Sequence, residues 1–191
     1  MALDSESRWR LVRMMKARGR NSQEPLETII RLGTEADLPA MVEIYNYYIQ
    51  NSVVTFDIEP MVYEDWASKF KWINGLGLPF IVAESPSGQI IGFAYVAPWR
   101  QKAAFKRTVE DSVYLRPAAI GKRVGTKLLA ELLERAKAAG VKEVVAVISD
   151  KGAESSIALH ERFGFKRQGH LGKVGFKFGR WLGTVLMQKS L

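Results

Sequence analysis

Apolar positions along this chain recur at two periods, and the switches between them mark the elements. Residues 27–33, ETIIRLG, read as a short strand. Thr34 with Asp37 three residues on makes a variant capping box. Behind it Leu38, Met41, Tyr45 and Tyr48 fall on one face at helical spacing, which predicts a helix over 36–50. Residues 51–60 read as a loop carrying Phe56, and a second helix is expected from about 62 to 73, broken by Asn-Gly-Leu-Gly. The apolar runs 80–85 and 89–98 flank Pro86-Ser87-Gly88 and predict a hairpin, followed by the loop WRQKAAFKR at 99–107.

The stretch TVEDSVYLRPAAIGKRVGT, 108–126, then reads as a strand, a proline stop and a small basic loop that opens a helix. Alternation places Val109, Val113 and Leu115 on one face of the strand, with Glu110, Ser112 and Tyr114 on the other. Asp111 interrupts the apolar face. A carboxylate inside a buried strand is costly unless it has work or a partner, and a bulge nearby would re-aim it and loosen the ladder. Leu128, Leu129, Leu132, Leu133 and Ala136 mark an amphipathic helix closing at Gly140. VKEVVAVISD, 141–150, is almost wholly apolar, as in a strand covered on both faces. The helix ESSIALHERF stops at Gly164, FKRQGHL is a strand, KVGFKFGR a basic glycine-rich loop, and WLGTVLMQKS closes the sheet. This order predicts an α/β protein of α+β type, a mixed sheet flanked by helices rather than a regular alternation.

Composition narrows the possibilities. With 191 residues and 47% hydrophobic content the chain suffices for one full core, not two. Residues 1–26 are set apart as a basic extension, flexible or helical, and 27–191 as the folded domain. A presequence reading of that extension is opposed by Asp4 and Glu6. The net charge of +8 points to an anionic partner, either nucleic acid or a phosphorylated small molecule. Since 1–26 holds only three of those charges and no nucleic-acid motif appears, no nucleic-acid partner is expected. The absence of cysteine removes a thiol nucleophile, a disulfide framework and Cys-based metal sites, and no metal is expected. No apolar run approaches the ~18 residues that span a bilayer. A soluble, cytoplasmic protein without a membrane partner is the expectation. Gly121 and Gly125 flank Lys122 and Arg123 where a helix begins, so free N–H groups and the helix dipole would hold an anion such as a pyrophosphate. Simple turn glycines are the alternative.

NSVVTFDIEP, AYVAPWR, TVEDSVYLRP, VVAVIS, SIALHERFGF and VGFKFGRW together resemble the GNAT superfamily of N-acetyltransferases. More narrowly they are similar to its phosphinothricin and methionine sulfoximine N-acetyltransferase family, over about residues 27–190. The resemblance implies a GNAT-like fold with a splayed central sheet, the strands around Val113 and Val145 parting to admit acetyl-CoA. It implies direct acetyl transfer to the primary amine of a small amino-acid-like substrate. It also implies a homodimer. The pyrophosphate role falls on Gly121, Lys122, Arg123, Val124, Gly125 and Thr126, and pairing with the pantetheine arm on the backbone of Val113, Tyr114 and Leu115.

Glu110 stands at the place of the family's general base, with a structural ion pair as its alternative. His160 takes the place of a tyrosine that protonates the leaving thiolate, and a histidine held by a backbone carbonyl is the other reading. A strand amide near Val113 is the candidate oxyanion donor. Substrate contacts fall on Phe56, Arg100, Ala103, Ala104, Phe105 and Lys106, with Arg100 or Lys106 suited to a carboxylate. Two positions depart from the family pattern: Arg123 replaces the central glycine of the loop, and Ala153 replaces an asparagine. They leave open a degenerate fold that binds CoA or a metabolite as a regulatory module.

Overall fold

The computed structural model describes residues 27–191, so the expected extension over 1–26 lies outside the described residues. The chain runs β1 (Ile29–Leu32), α1 (Leu38–Asn51), α2 (Tyr63–Gly75), β2 (Phe80–Glu84), β3 (Ile90–Pro98), β4 (Thr108–Leu115), α3 (Val124–Ala138), β5 (Glu143–Ser149), α4 (Glu154–Arg162), β6 (Lys166–Lys177) and β7 (Arg180–Ser190). Short 3₁₀ turns at Glu35–Asp37, Ala103–Phe105 and Pro117–Ala119 join some of them. The order of strands and helices is the one the periodicity predicts. One sheet of seven strands, β1-β2-β3-β4-β5-β7-β6, forms the frame. Every neighbouring pair is antiparallel except β4 with β5.

Two cores lie on opposite faces of this sheet. On one, α1 and α2 bring Leu38, Met41, Ile44, Tyr45, Trp66 and Phe70 against Phe80, Phe93 and Tyr95. The aromatic rings form a connected layer: Phe80 stacks on Tyr95 at 4.9 Å, Phe93 on Tyr114 at 5.4 Å, and Trp66 meets Phe93 edge-on at 5.3 Å. Such pairs contribute beyond their buried area because ring edge and ring face carry opposite partial charge. On the other face the predicted leucines of α3 pack on β2, β3 and β4, with no exposed surface at Leu128, Leu129 or Leu132.

The capping box at the start of this layout forms as expected, with the Thr34 N–H donating to Asp37 Oδ2 at 2.8 Å. It opens the 3₁₀ turn that leads into α1. Arg31 clamps the same aspartate through both terminal nitrogens at 2.8 Å, which holds its carboxyl below the usual range against the opposing effect of burial. Such a fork-to-fork pair fixes orientation as well as charge.

Two readings are corrected. No bulge interrupts β4: its register with β3 runs unbroken from Gly92 opposite Leu115 to Pro98 opposite Val109. Asp111 needs no re-aiming, because a partner reaches it in place. Residues 173–177, read as loop, continue β6, and the register slips against β7 between Leu171 and Gly175. The hairpin turns only at Phe178-Gly179. Both turn residues have positive φ, 51° and 71°, as a type I′ turn requires.

Gly92 shows how closely α3 lies on β3. A Cβ there would stand 2.5 Å from Leu115 Cδ2, 2.9 Å from the carbonyl oxygen of Tyr114 and 3.2 Å from Leu128 Cδ1. The carbonyl belongs to a paired strand and cannot swing aside. Gly92→Ala is therefore expected to destabilise the domain by about 1–3 kcal/mol, the cost of overpacking, read as a lower denaturant midpoint at unchanged slope.

Candidate active site

The parallel pair β4–β5 is short. Thr108, Val109 and Glu110 lie opposite Glu143, Val144 and Val145, and beyond Glu110 the two strands share no register. Ser112 through Leu115 keep β3 on one side and face a gap on the other. Backbone groups along such a gap need partners from elsewhere. One is taken already: the Leu115 carbonyl accepts from Tyr48 Oη at 2.7 Å.

Two carboxylates stand at the parting, and strand alternation sends them to opposite faces. Glu110 shares its face with Tyr114, on the side of α1 and α2. It is half-buried, and its carboxylate has no hydrogen bond or ion pair with any described residue. Burial, followed by the neighbouring charge of Asp111, holds its pKa above the ordinary carboxylate value, while Lys69 and Arg100 pull the other way. Lys69 is fixed for this effect: its Nζ donates to Tyr95 Oη at 2.7 Å and lies 4.5 Å from the centroid of that ring.

Asp111 points into the opposite core, where His160 of α4 meets it with Nε2 2.9 Å from Oδ2. The other ring nitrogen, Nδ1, is 2.7 Å from the Ser156 carbonyl. A carbonyl only accepts, so Nδ1 carries a hydrogen. An ionised carboxylate only accepts, so whenever Asp111 is ionised Nε2 carries one too and the ring is an imidazolium. Burial works against that charge, but the charge and hydrogen bond of Asp111 outweigh it and raise the histidine pKa. His160 is thus held by a backbone carbonyl, and in this arrangement neither N–H is free to reach a leaving thiolate. Asp111 Oδ1 is buried with no partner among the described residues.

The loop before α3 presents its amides outward. Gly121 has φ +79° and Arg123 φ +62°, and the helix begins at Val124. The first amide to enter the helical ladder is that of Lys127, bonded to the Arg123 carbonyl at 3.1 Å. The N–H groups of Gly121, Arg123, Val124, Gly125 and Thr126 meet no acceptor among the described residues, whereas that of Lys122 bonds to Ala119 at 3.4 Å. Arg123 occupies a left-handed conformation that favours glycine, which explains why a glycine suits that place. Ala153, the second departure, is 3% exposed and its methyl belongs to the core.

The remaining predicted residues fall on two segments. Arg100 lies over Trp99, guanidinium carbon to ring centroid 4.1 Å, at the base of the exposed arm that carries Ala103, Ala104, Phe105 and Lys106. Its coupling to Glu110 places arm and carboxylate in one neighbourhood. Phe56 sits on the 52–57 segment against β6, flanked by Thr55, whose carbonyl accepts from the buried Lys177 at 2.9 Å. Sequence reasoning missed Lys69, Lys177 and the pairing of Asp111 with His160. The misplaced charge of Asp111 was the one available signal. A separate surface hollow of about 570 Å³, bounded by Asp150, Ile157, Arg167 and His170, includes no residue of β4. No cluster of three metal-ligating side chains occurs among the described residues. No described helix is long and apolar enough to cross a membrane.

A family model, that of the acetyltransferase (GNAT) family, matches residues 41–165 of this chain. The chain belongs to the GNAT acetyltransferase family. Among its relatives, the phosphinothricin N-acetyltransferase of Alcaligenes faecalis is 38% identical over 162 residues, 85% of this chain and 82% of the relative. The L-methionine sulfoximine/L-methionine sulfone acetyltransferase of Pseudomonas aeruginosa is 39% identical over 165 residues, 85% of this chain and 94% of the relative. A solved GNAT phosphinothricin acetyltransferase from Sinorhizobium meliloti, in complex with acetyl-CoA, superposes with a TM-score of 0.82 at 42% identity, covering 86% of this chain and 88% of that one. This GNAT chain is an N-acetyltransferase.

The Asp111–His160 pair makes a pH-dependent contribution whose sign follows from the raised histidine pKa. It is fully present below the unfolded value near 6.5 and is lost as pH rises through the higher folded value. Asp111→Asn should therefore lower unfolding free energy at pH 6 by about 3 kcal/mol, the order expected when one partner of a buried pair is removed. The difference from wild type should shrink as pH rises. Denaturant titrations of both proteins between pH 5.5 and 9 check this, and a pH-independent difference would contradict it.

Proposed function

We propose that this GNAT enzyme uses acetyl-CoA to acetylate the primary amine of a small amino-acid-like substrate of the phosphinothricin or methionine sulfoximine type, by direct transfer with Glu110 as general base. The observation that carries the reading is Glu110 itself. It is a half-buried carboxylate with a raised pKa and no ion pair, placed at the last paired position before β4 and β5 separate. A structural ion pair would have bound that carboxylate to a cation. The activities after which the relatives are named support the substrate class, and acetyl-CoA in a solved neighbour supports the donor.

The residues at the gap suit such a donor. Along the gap the backbone N–H and carbonyl of Val113 point away from β3 and offer themselves to an extended amide-bearing arm in the manner of an added strand, with Leu115 offering its N–H and a half-used carbonyl, while the groups of Tyr114 between them face Phe93 of β3. The free amides of Gly121 and Arg123 to Thr126, beside Lys122 and at the positive end of α3, suit a pyrophosphate. When bound, acetyl-CoA supplies an acetyl group activated as a thioester.

The chain's own groups do the rest. A protonated amine has no lone pair, so Glu110 takes its proton directly or through one water. Its raised pKa strengthens it as a base, and Lys69 and Arg100 limit the rise. A strand amide near Val113 donates to the carbonyl oxygen as charge gathers there. Arg100 or Lys106 on the exposed arm pairs with the substrate carboxylate, Ala103, Ala104 and Phe105 border it, and Phe56 packs on the side chain. His160, charged and buried beside Asp111, contributes a fixed positive charge near the departing thiolate. We place the enzyme in a homodimer. Supporting this is the apolar band on the β6–β7 hairpin, where Leu171, Val174, Phe176, Phe178 and Trp181 are each at least half exposed.

Glu110→Gln keeps shape and removes basicity. Thiol release from acetyl-CoA with methionine sulfoximine, methionine sulfone or phosphinothricin should fall by about 100- to 10,000-fold in kcat at neutral pH, while acetyl-CoA affinity holds. Wild-type kcat/KM should decline as pH falls through the raised glutamate pKa, and the variant should recover rate at high pH, where the amine loses its proton unaided. Near-wild-type kcat for the variant at pH 7 would remove Glu110 from the base role.

A further inference from the structure

Phe56 and Gly175 occupy each other's space. A Cβ built on Gly175 would stand 2.3 Å from Phe56 Cδ1 and 2.4 Å from Cε1, far inside any contact that real Cβ atoms make. The backbone gives no reason for glycine here, since Gly175 is not among the residues with positive φ. Gly172, in the same strand, has only the His170 ring edge at 3.8 Å. Glycine at 175 is therefore explained by the aromatic ring that fills the place of its side chain.

The backbone that carries the ring has little freedom to shift, because both residues flanking Phe56 are pinned, so a crowded ring must turn about its own side-chain bonds. The Thr55 carbonyl accepts from Lys177 Nζ, and Lys177 lies two residues beyond Gly175, so both project from one face of β6. Lys177 is 4% exposed, and burial lowers its pKa while Asp57 opposes the shift. On the other side Tyr45 Oη is bonded to the Asp57 carboxylate and lies 2.9 Å from the Thr55 hydroxyl. Tyr45 meets Tyr114 edge-on at 4.9 Å, which ties the unit to the unpaired part of β4.

We infer that Gly175 is a specificity-determining residue: by leaving its side-chain space to Phe56, it sets how far that ring stands from the substrate and hence how large a side chain the site accepts. Lys177 acts with it as a positioning residue through Thr55. The inference rests on the reading of Phe56 as a substrate contact. A methyl at position 175 pushes the ring away from β6, toward the substrate, and long substrates lose more than short ones.

The test compares kcat/KM for methionine sulfone and for alanine in wild type, Gly175→Ala, Phe56→Leu and the double variant, with the KM for acetyl-CoA as control. Gly175→Ala should lower the ratio of long to short substrate by roughly tenfold, the discrimination that about one methylene's worth of pocket supplies. Acetyl-CoA KM should hold, and in the Phe56→Leu background the same change should have no further effect, since both act through one ring. An unchanged ratio in folded Gly175→Ala, with Phe56→Leu altering it, overturns this inference and leaves the Phe56 contact standing. An unchanged ratio in Phe56→Leu removes the contact and the inference with it. Should Gly175→Ala alone fail to fold, Lys177→Met releases the Thr55 carbonyl without adding bulk against the ring. It must shift the same ratio several-fold, and a ratio equal to wild type overturns the proposal.

Discussion

A parallel strand pair that ends after three residues is the constraint on which the rest of this structure depends. In a continuous sheet, β4 and β5 would satisfy each other's backbone groups throughout; here the ladder stops at Glu110 and Val145 and leaves one side of β4 open. The residue immediately past the last pair is Asp111. Its carboxylate is met by a histidine from α4 that is itself anchored to the Ser156 carbonyl, so helix and strand are joined through a buried ionic contact where the sheet divides. Such a contact is weak as a source of net stability, because desolvation offsets most of the attraction. It is strong as a determinant of position, since either charge left alone in that core would be far costlier.

Strand alternation then separates two adjacent carboxylates by chemistry as well as by direction. Asp111 faces the core with a cation in contact. Glu110 faces the other way, with Lys69 and Arg100 near enough to moderate its pKa and too far to form an ion pair. The same negative charge that is neutralised on one face raises the proton affinity of the carboxylate on the other. A carboxylate whose proton affinity is raised in this way suits the proposed deprotonation of an ammonium.

Much of this was legible in the sequence, and the reasons differ by element. The leucines of α3 and the aromatic positions of α1 declare their helices because burial on one face imposes the period. Glu110 and the loop at 121–126 were legible through the family likeness, and the structure brings the glutamate to the parting and turns the loop amides outward. Asp111 was visible as a charge in the wrong place. Its partner was not, because 49 residues separate it from His160 and no local pattern joins them. The bulge reading failed for the same reason: a distant partner removed the need for one. Residues 173–177 misled because glycine and lysine signal a loop locally, whereas here one glycine makes room for Phe56 and the lysine reaches the Thr55 carbonyl. Contacts between distant segments decide such residues, and sequence periodicity does not carry them.

The central claim is that the open side of β4 receives the acetyl donor as an added strand. Backbone amide hydrogen exchange, followed with and without saturating acetyl-CoA, tests it most directly. The account predicts slower exchange at the gap-facing amides of Val113 and Leu115 and at those of Gly121 and Arg123 to Thr126, with the β6–β7 hairpin unchanged. Protection confined to other parts of the molecule, with β4 beyond Glu110 exchanging as in the free protein, would contradict it.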